Sequence, residues 1–163
     1  MGCGKSSVGR RLSELLCCPF MDLDQVIEEC AGRTIPEIFS QDGEPAFRQM
    51  ELETLQTIVS REGLVLALGG GAVMTRECED IVREKTLCVY LKASVETLLE
   101  HLEGEAEGRP MLRAEKSGEL RERIENLMTI RSATYERTAH IIIDTDGKSI
   151  DEIAMEIKEA IQL

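Results

Sequence analysis

Gly2-Cys3-Gly4-Lys5-Ser6-Ser7-Val8-Gly9 opens the sequence, and its reading decides the fold. Gly4-Lys5-Ser6 supplies the end of the phosphate-loop pattern, Gly, four residues, Gly-Lys-Ser/Thr. The first Gly of that pattern would fall two residues ahead of Met1. The physical logic is present in what remains. Successive backbone N–H groups form a nest for anions. A helix that starts near Ser6 turns its positive end toward the same point. Gly2, Cys3, Gly4, Lys5, Ser6 and Ser7 are therefore the candidate nucleotide-binding residues. Lys5 is placed to reach the β- and γ-phosphates, and the Ser6 hydroxyl to ligate Mg²⁺. The plainer alternative is a Gly-rich turn that merely caps a helix. Such a loop normally follows a buried strand, and the sequence has no room for one. The expectation is that Met1 is internal to a longer reading frame. Loss of a central strand would expose two sheet edges and delete apolar area.

Outward from this loop, helical and strand patterns alternate. Ser6 to Leu16 reads as a helix, Pro19 to Asp22 as a short strand, and Asp24 to Cys30 as a helix stopped by Gly32. Thr34 and Glu37 have capping-box spacing ahead of a single helical turn, Ile35 to Phe39. Pro45 to Arg61 repeats apolar residues at helical spacing. Leu64 to Leu68 is a continuous apolar run ended by Gly69-Gly70-Gly71, the pattern of a parallel strand buried on both faces. Glu77 to Arg83 is helical, Leu87 to Leu91 a second buried strand, and Ser94 to Leu102 a helix. Glu103 to Ser117 is polar and has the length of a functional loop. Glu119 to Arg137 is a long helix, His140 to Asp144 a strand, and Ser149 caps a last helix with Glu152 at the box position. Strands separated by helices predict a three-layer α/β/α fold with a parallel central sheet, one domain over residues 1–163. Ligands of such sheets bind at the carboxyl ends of the strands. Asp22, Asp24, the glycines at 69–71 and the turn after Asp144 occupy those ends.

The composition narrows the partners. The net charge of −12 and pI near 4.7 argue against a nucleic-acid or anionic membrane surface. The six cysteines contain no Cys-x-x-Cys pair and only two His are present, so neither a zinc site nor a disulfide scaffold is expected. Reduced thiols and the absence of a signal-like or spanning apolar run imply a cytoplasmic protein.

Further along, Phe20-Met-Asp22-Leu-Asp24, Asp42-Gly-Glu-x-x-Phe47-Arg48-x-x-Glu51, Gly69-Gly70-Gly71-Ala72-Val73, Arg109-Pro110-Met-Leu112 and Arg131-x-x-x-Tyr135 follow one another. Together with the first loop, this ordered set resembles shikimate kinase. The resemblance covers nearly the whole chain, short of the first strand and the start of the phosphate loop. It implies a nucleoside monophosphate kinase-like fold. The implied reaction is ATP-dependent phosphorylation of shikimate to 3-phosphoshikimate, in the chorismate route to aromatic amino acids. Mg²⁺ is the implied cofactor, and a monomer without nucleic-acid or membrane partners the implied state.

The resemblance also implies roles. Positions matching Arg48 and Arg131 hold the substrate carboxylate, as two guanidinium forks can. Asp24 binds the ring hydroxyls and orients the acceptor. Gly69, Gly70 and Gly71 bring backbone against the substrate. Lys5, Asp24 and Arg109 form the catalytic set, with Arg109 on a lid spanning about 103–118 that also contacts ATP. Ser6 and Asp22 stand near the metal. Glu51 orients Arg48 or Arg131. Each side chain has a plainer reading: Asp22 and Asp24 as helix-capping acids, Arg48 with Glu51 as a surface pair, Arg131 on a solvated face and Arg109 as an exposed loop residue. Leu102 replaces an arginine that several members carry near the adenine, and Glu103, Glu105 and Glu107 make the lid acidic. Thr145-Asp146-Gly147-Lys148 would meet the adenine mostly through backbone. Another small-molecule kinase on this fold would lack the Arg48 and Arg131 pair, and a non-catalytic nucleotide-binding module would release no ADP.

Overall fold

The computed structural model describes residues 3–107 and 117–162. Eight helices and four strands are found among them: α1 (Lys5–Leu16), β1 (Phe20–Asp22), α2 (Leu23–Ala31), α3 (Ile35–Asp42), α4 (Glu44–Ile58), β2 (Val65–Ala67), α5 (Arg76–Lys85), β3 (Val89–Lys92), α6 (Val95–Glu107), α7 (Ser117–Thr138), β4 (Ile141–Asp144) and α8 (Ile150–Ile161). Two helices outrun their expected carboxyl ends the furthest. The α3 helix starts behind a complete capping box, with Thr34 and Glu37 satisfying each other's backbone, and runs to Asp42, where Gly43 caps it. The α6 helix continues to Glu107, through residues expected to begin the loop. Ser149 and Glu152 form the second capping box.

β1 pairs with β2 and β3 with β4, both in parallel, with Asp22 level with Ala67 and Lys92 level with Asp144. The expected central sheet is thus present as two parallel halves among the described residues.

The strands' two-residue period sorts their side chains into the two outer layers. Leu64, Leu66, Leu68 and Cys88 join the core formed with α2 to α5, around Leu23, Ile27, Ile38 and Leu55. Val65, Val89, Leu91, Ile141 and Ile143 pack instead with Val8 and Leu12 of α1 and Ile153 and Ile157 of α8. Each large aliphatic side chain buried this way stabilises the fold by about 1.5–3 kcal/mol. A third cluster joins α6 to α7 through Leu98 and Ile124. The strand residues Val65, Leu66, Val89 and Leu91 are only half-buried, although their pattern predicts full burial. The reason is an apolar cleft of about 670 Å³ between β2 and β3, on which all four border.

Candidate active site

The helix α1 starts at Lys5, behind Gly4 in the left-handed conformation at φ 71°. A residue with a Cβ is disfavoured there, so the turn that points the helix start at an anion requires glycine. The Ser6 hydroxyl, in the first turn, donates to Asp22 Oδ2 at 2.7 Å. Asp22 ends β1 and caps α2, its Oδ1 accepting from the amides of Asp24 at 3.1 Å and Gln25 at 3.4 Å. Asp22 therefore caps α2, and the same carboxylate also accepts the Ser6 hydrogen bond.

Because Asp22 is level with Ala67, the first turn of α2 faces the chain leaving β2. Asp24 lies there, half-buried. A Cβ built on Gly69 would stand 2.8 Å from Asp24 Oδ1, and one on Gly71 only 2.7 Å from an Arg48 guanidinium nitrogen. With Asp24 and Arg48 where they stand, neither position has room for a Cβ, and a substitution would have to displace those side-chain ends. Burial and the adjacent Asp22 push the Asp24 carboxyl above its ordinary range, while the charges of Lys5 and Arg48 oppose that shift.

Arg48 is fixed from two sides. It donates to Glu51 Oε2 at 2.7 Å and to the Gly71 carbonyl at 3.2 Å. Glu51 is 1% exposed, so the pair is not a surface one. Burial raises the Glu51 carboxyl above its ordinary range, and Arg48 acts to lower it. The Arg48 guanidinium also stands 5.3 Å from the centre of the buried Phe47 ring.

The last contributor is α7. The Tyr135 hydroxyl donates to the Gly70 carbonyl, and its ring packs 5.2 Å from that of Tyr90 on β3. Arg131, one turn earlier and half-buried, interacts with the Tyr135 hydroxyl. Its charge and hydrogen bond act to lower that phenol, while burial has the larger effect and raises it. Toward the helix end, Arg137 grips Glu79 of α5 through two hydrogen bonds of 2.7 and 2.9 Å, which sets the helix against the core.

Lys5, Ser6, Asp22, Asp24, Arg48, Gly69 to Gly71 and Arg131 thus gather at the carboxyl ends of β1 and β2. Gly2, Arg109 and most of the lid at 103–118 lie outside the described residues. Three features went unread in the sequence: the link from Tyr135 to Gly70, the Glu79–Arg137 clamp and the second role of Asp22. Their partners lie 65, 58 and 16 residues apart, beyond the reach of local pattern. His140 serves structure, its Nδ1 accepting from the Cys88 amide at 3.0 Å.

What this arrangement can do follows from its groups. A glycine turn and helix start with a lysine lie beside an acid of raised pKa and beside Arg48, which bonds the glycine turn, while Arg131 meets the tyrosine that holds it. Such a site suits a polyphosphate and a small hydroxylated acid held side by side. Among the described residues, no group of three or more His, Cys, Asp or Glu could hold a metal alone.

The shikimate kinase family profile matches residues 1–162. A shikimate kinase from Dictyoglomus turgidum is 43% identical, covering 99% of this chain and 93% of its own. One from Thermus thermophilus is 42% identical over 98% of this chain and 84% of its own. The shikimate kinase of Acinetobacter baumannii, solved in complex with shikimate, superposes with a TM-score of 0.88 at 36% identity, over 99% of this chain and 88% of its own. The Bacteroides thetaiotaomicron enzyme gives 0.90 at 28%, over 100% and 94%. The fold is that of a P-loop kinase, and the chain belongs to the shikimate kinase family.

Proposed function

We propose that the cluster around Gly69 to Gly71 is where this kinase transfers the γ-phosphoryl group of ATP to a hydroxyl of shikimate. The observation that carries the reading is the convergence of Asp24 and Arg48 on glycines that leave no room for a Cβ. A carboxylate and a guanidinium held side by side match the two ends of shikimate, its hydroxyls and its carboxylate.

Arg48 and Arg131 hold the substrate carboxylate, and the Gly69 to Gly71 backbone forms the floor beneath the ring. Asp24 accepts a hydrogen bond from the reacting hydroxyl and takes its proton as the phosphoryl group departs from ADP. Its raised pKa suits that task, because a stronger base accepts the proton more readily. The nest at Gly2 to Ser7 and the Lys5 ammonium hold the ATP phosphates. Ser6 and Asp22 offer a hydroxyl and a carboxylate oxygen side by side, a fit for Mg²⁺, which keeps waters and phosphate oxygens as its other ligands. Mg²⁺ bound there would neutralise charge on the phosphates. Arg109 adds positive charge from the lid. The whole chain acts as one domain, monomeric and cytoplasmic. No helix among the described residues is long and apolar enough to cross a membrane.

The test is shikimate-dependent ADP formation by the purified chain with ATP and Mg²⁺. Arg48→Ala should raise the shikimate KM by roughly tenfold or more, the cost of a carboxylate losing a charged partner. An unchanged KM would remove Arg48 from the substrate site. ADP released without shikimate, or none from a folded chain, would overturn the reaction itself.

A further inference from the structure

We propose that Glu79 and Arg137 are positioning residues for the substrate: their ion pair fixes α7 so that Arg131 reaches the carboxylate of shikimate. These roles rest on the placement of Arg131 at that carboxylate, and both residues act through Arg131 rather than on the substrate.

Two ties hold α7 to one short stretch of chain. The first is the Tyr135 hydroxyl on the Gly70 carbonyl. The second is Arg137, whose Nε and Nη2 donate to the two carboxylate oxygens of Glu79 at 2.7 and 2.9 Å. Thr138 supports the second tie. Its buried hydroxyl donates to the Thr134 carbonyl at 2.6 Å and lies 3.5 Å from Glu79 Oε1.

The stretch from Gly70 to Glu79 is itself stiff. The Ala72 amide donates to the Gly69 carbonyl, the Met74 amide to Gly71 and the Glu79 amide to Thr75, all at 3.0–3.1 Å. Ala72, Val73 and Cys78 are buried in the core with α2 to α4. Glu79 therefore stands in a fixed relation to the glycine floor, and whatever it holds is held relative to that floor.

A single tie leaves a helix free to swing about it. A guanidinium fork on a carboxylate makes two parallel bonds, which fix orientation as well as distance. Arg131 and the Glu79 contact lie on opposite sides of Tyr135 along α7. At a rise of 1.5 Å per residue, Arg131 is about 6 Å from Tyr135, and residues 137 and 138 are about 3–4.5 Å from it. A slip of about 1 Å at the Glu79 contact thus moves Arg131 by roughly 1–2 Å. A shift of that size takes a guanidinium out of hydrogen-bonding range of a carboxylate. The start of α1, which carries Lys5 and Ser6, shares neither tie.

The test is a coupling measurement on the purified chain with ATP, Mg²⁺ and shikimate. Glu79→Gln keeps the shape of the side chain. Arg137→Gln alters a half-exposed residue and leaves the charge of Arg83 acting on Glu79. Both variants should therefore fold, which thermal melts check, and the second carries the test if the first does not. Each should raise the shikimate KM severalfold and leave the ATP KM within twofold of the parent. Arg137→Lys keeps the charge without the fork and should behave like Arg137→Gln. In an Arg131→Ala background, Glu79→Gln should add nothing to the shikimate KM, because the group it positions is gone. An unchanged shikimate KM in both clamp variants, equal rises in the two KM values, or an effect that adds in full to that of Arg131→Ala would overturn the proposal while leaving Arg131 at the carboxylate. A shikimate KM unchanged by Arg131→Ala itself would remove Arg131 from the substrate, and the positioning roles with it.

Discussion

Ser6 and Asp22 are joined by a 2.7 Å hydrogen bond that ties the start of the phosphate-binding helix to the end of β1. The same Asp22 carboxylate caps α2 with its other oxygen. Asp22→Asn keeps a good cap but removes the charge, so its melting temperature should change little while the Mg²⁺ concentration for half-maximal rate rises by roughly tenfold. Asp22→Ala should lose the cap as well, at about 1 kcal/mol of stability. Magnesium titrations of rate, together with thermal melts, separate the two roles. An unaltered magnesium requirement in both variants would dismiss Asp22 from the metal site.

Gly69 and Gly71 are predicted to tolerate no side chain, for different reasons. A methyl at Gly69 meets the Asp24 carboxylate, and one at Gly71 meets the Arg48 guanidinium. Both neighbours are side-chain ends and can move, so the fold should survive while the site is displaced. Gly69→Ala should lower kcat at least tenfold through the shifted acid. Gly71→Ala should mainly raise the shikimate KM, and the ATP KM should hardly move. Gln162→Ala, at an exposed position beyond α8 and far from the lid, is the control. Steady-state kinetics on the three variants decide the matter, and equal behaviour of all three would refute the cradle.

Much of this was legible in the chain itself, because the informative signals are local. Gly-Lys-Ser before an amphipathic run, Asp22 and Asp24 after a short strand, and three glycines after Leu64 to Leu68 each announce strand-end chemistry within a few residues. The two-residue alternation that sends Val65 to α1 and Leu66 to α4 was not legible, since both are simply apolar. Nor was the half-burial of those strands, which depends on what lies beside them rather than on their own composition. The α6 helix outran its expected end at Leu102 because Glu103, Glu105, Ala106 and Glu107 are good helix formers and a single Gly104 does not end a helix. Tyr135 stood in a motif, yet its bond to Gly70 crosses 65 residues of sequence.

The acid Asp24 should titrate above the ordinary 3.8 in the ligand-free chain, for burial and the Asp22 charge both penalise its ionised form. Carbon-13 detection of the carboxyl resonance would follow it directly. Asp22→Asn should bring its midpoint down, and Arg48→Ala should push it further up. The sign for stability is the reverse of the usual carboxylate case. The folded chain binds this proton more tightly than the unfolded chain, so the Asp24 contribution is complete below 3.8 and declines as pH rises through the folded midpoint. A midpoint at or below 3.8 would contradict the burial argument.

Tyr135→Phe isolates the hydrogen bond that links α7 to the glycine floor. The ring, and with it the packing on Tyr90, is retained, so the fold should lose only about 0.5–1.5 kcal/mol. The Gly70 carbonyl, no longer held, frees the turn that sets Gly69 against Asp24 and Gly71 against Arg48. Arg131, one turn away on the same helix, loses the phenol it interacts with. Both effects fall on the shikimate side of the site and neither on the nest at Gly4 to Ser6. The expected result is therefore a severalfold rise in shikimate KM with an ATP KM within twofold of the parent. A general loosening of the fold would instead raise both constants together and lower the melting temperature by more than one hydrogen bond accounts for. Kinetics in both substrates, read beside the thermal melt, tell a positioning tyrosine from a merely structural one.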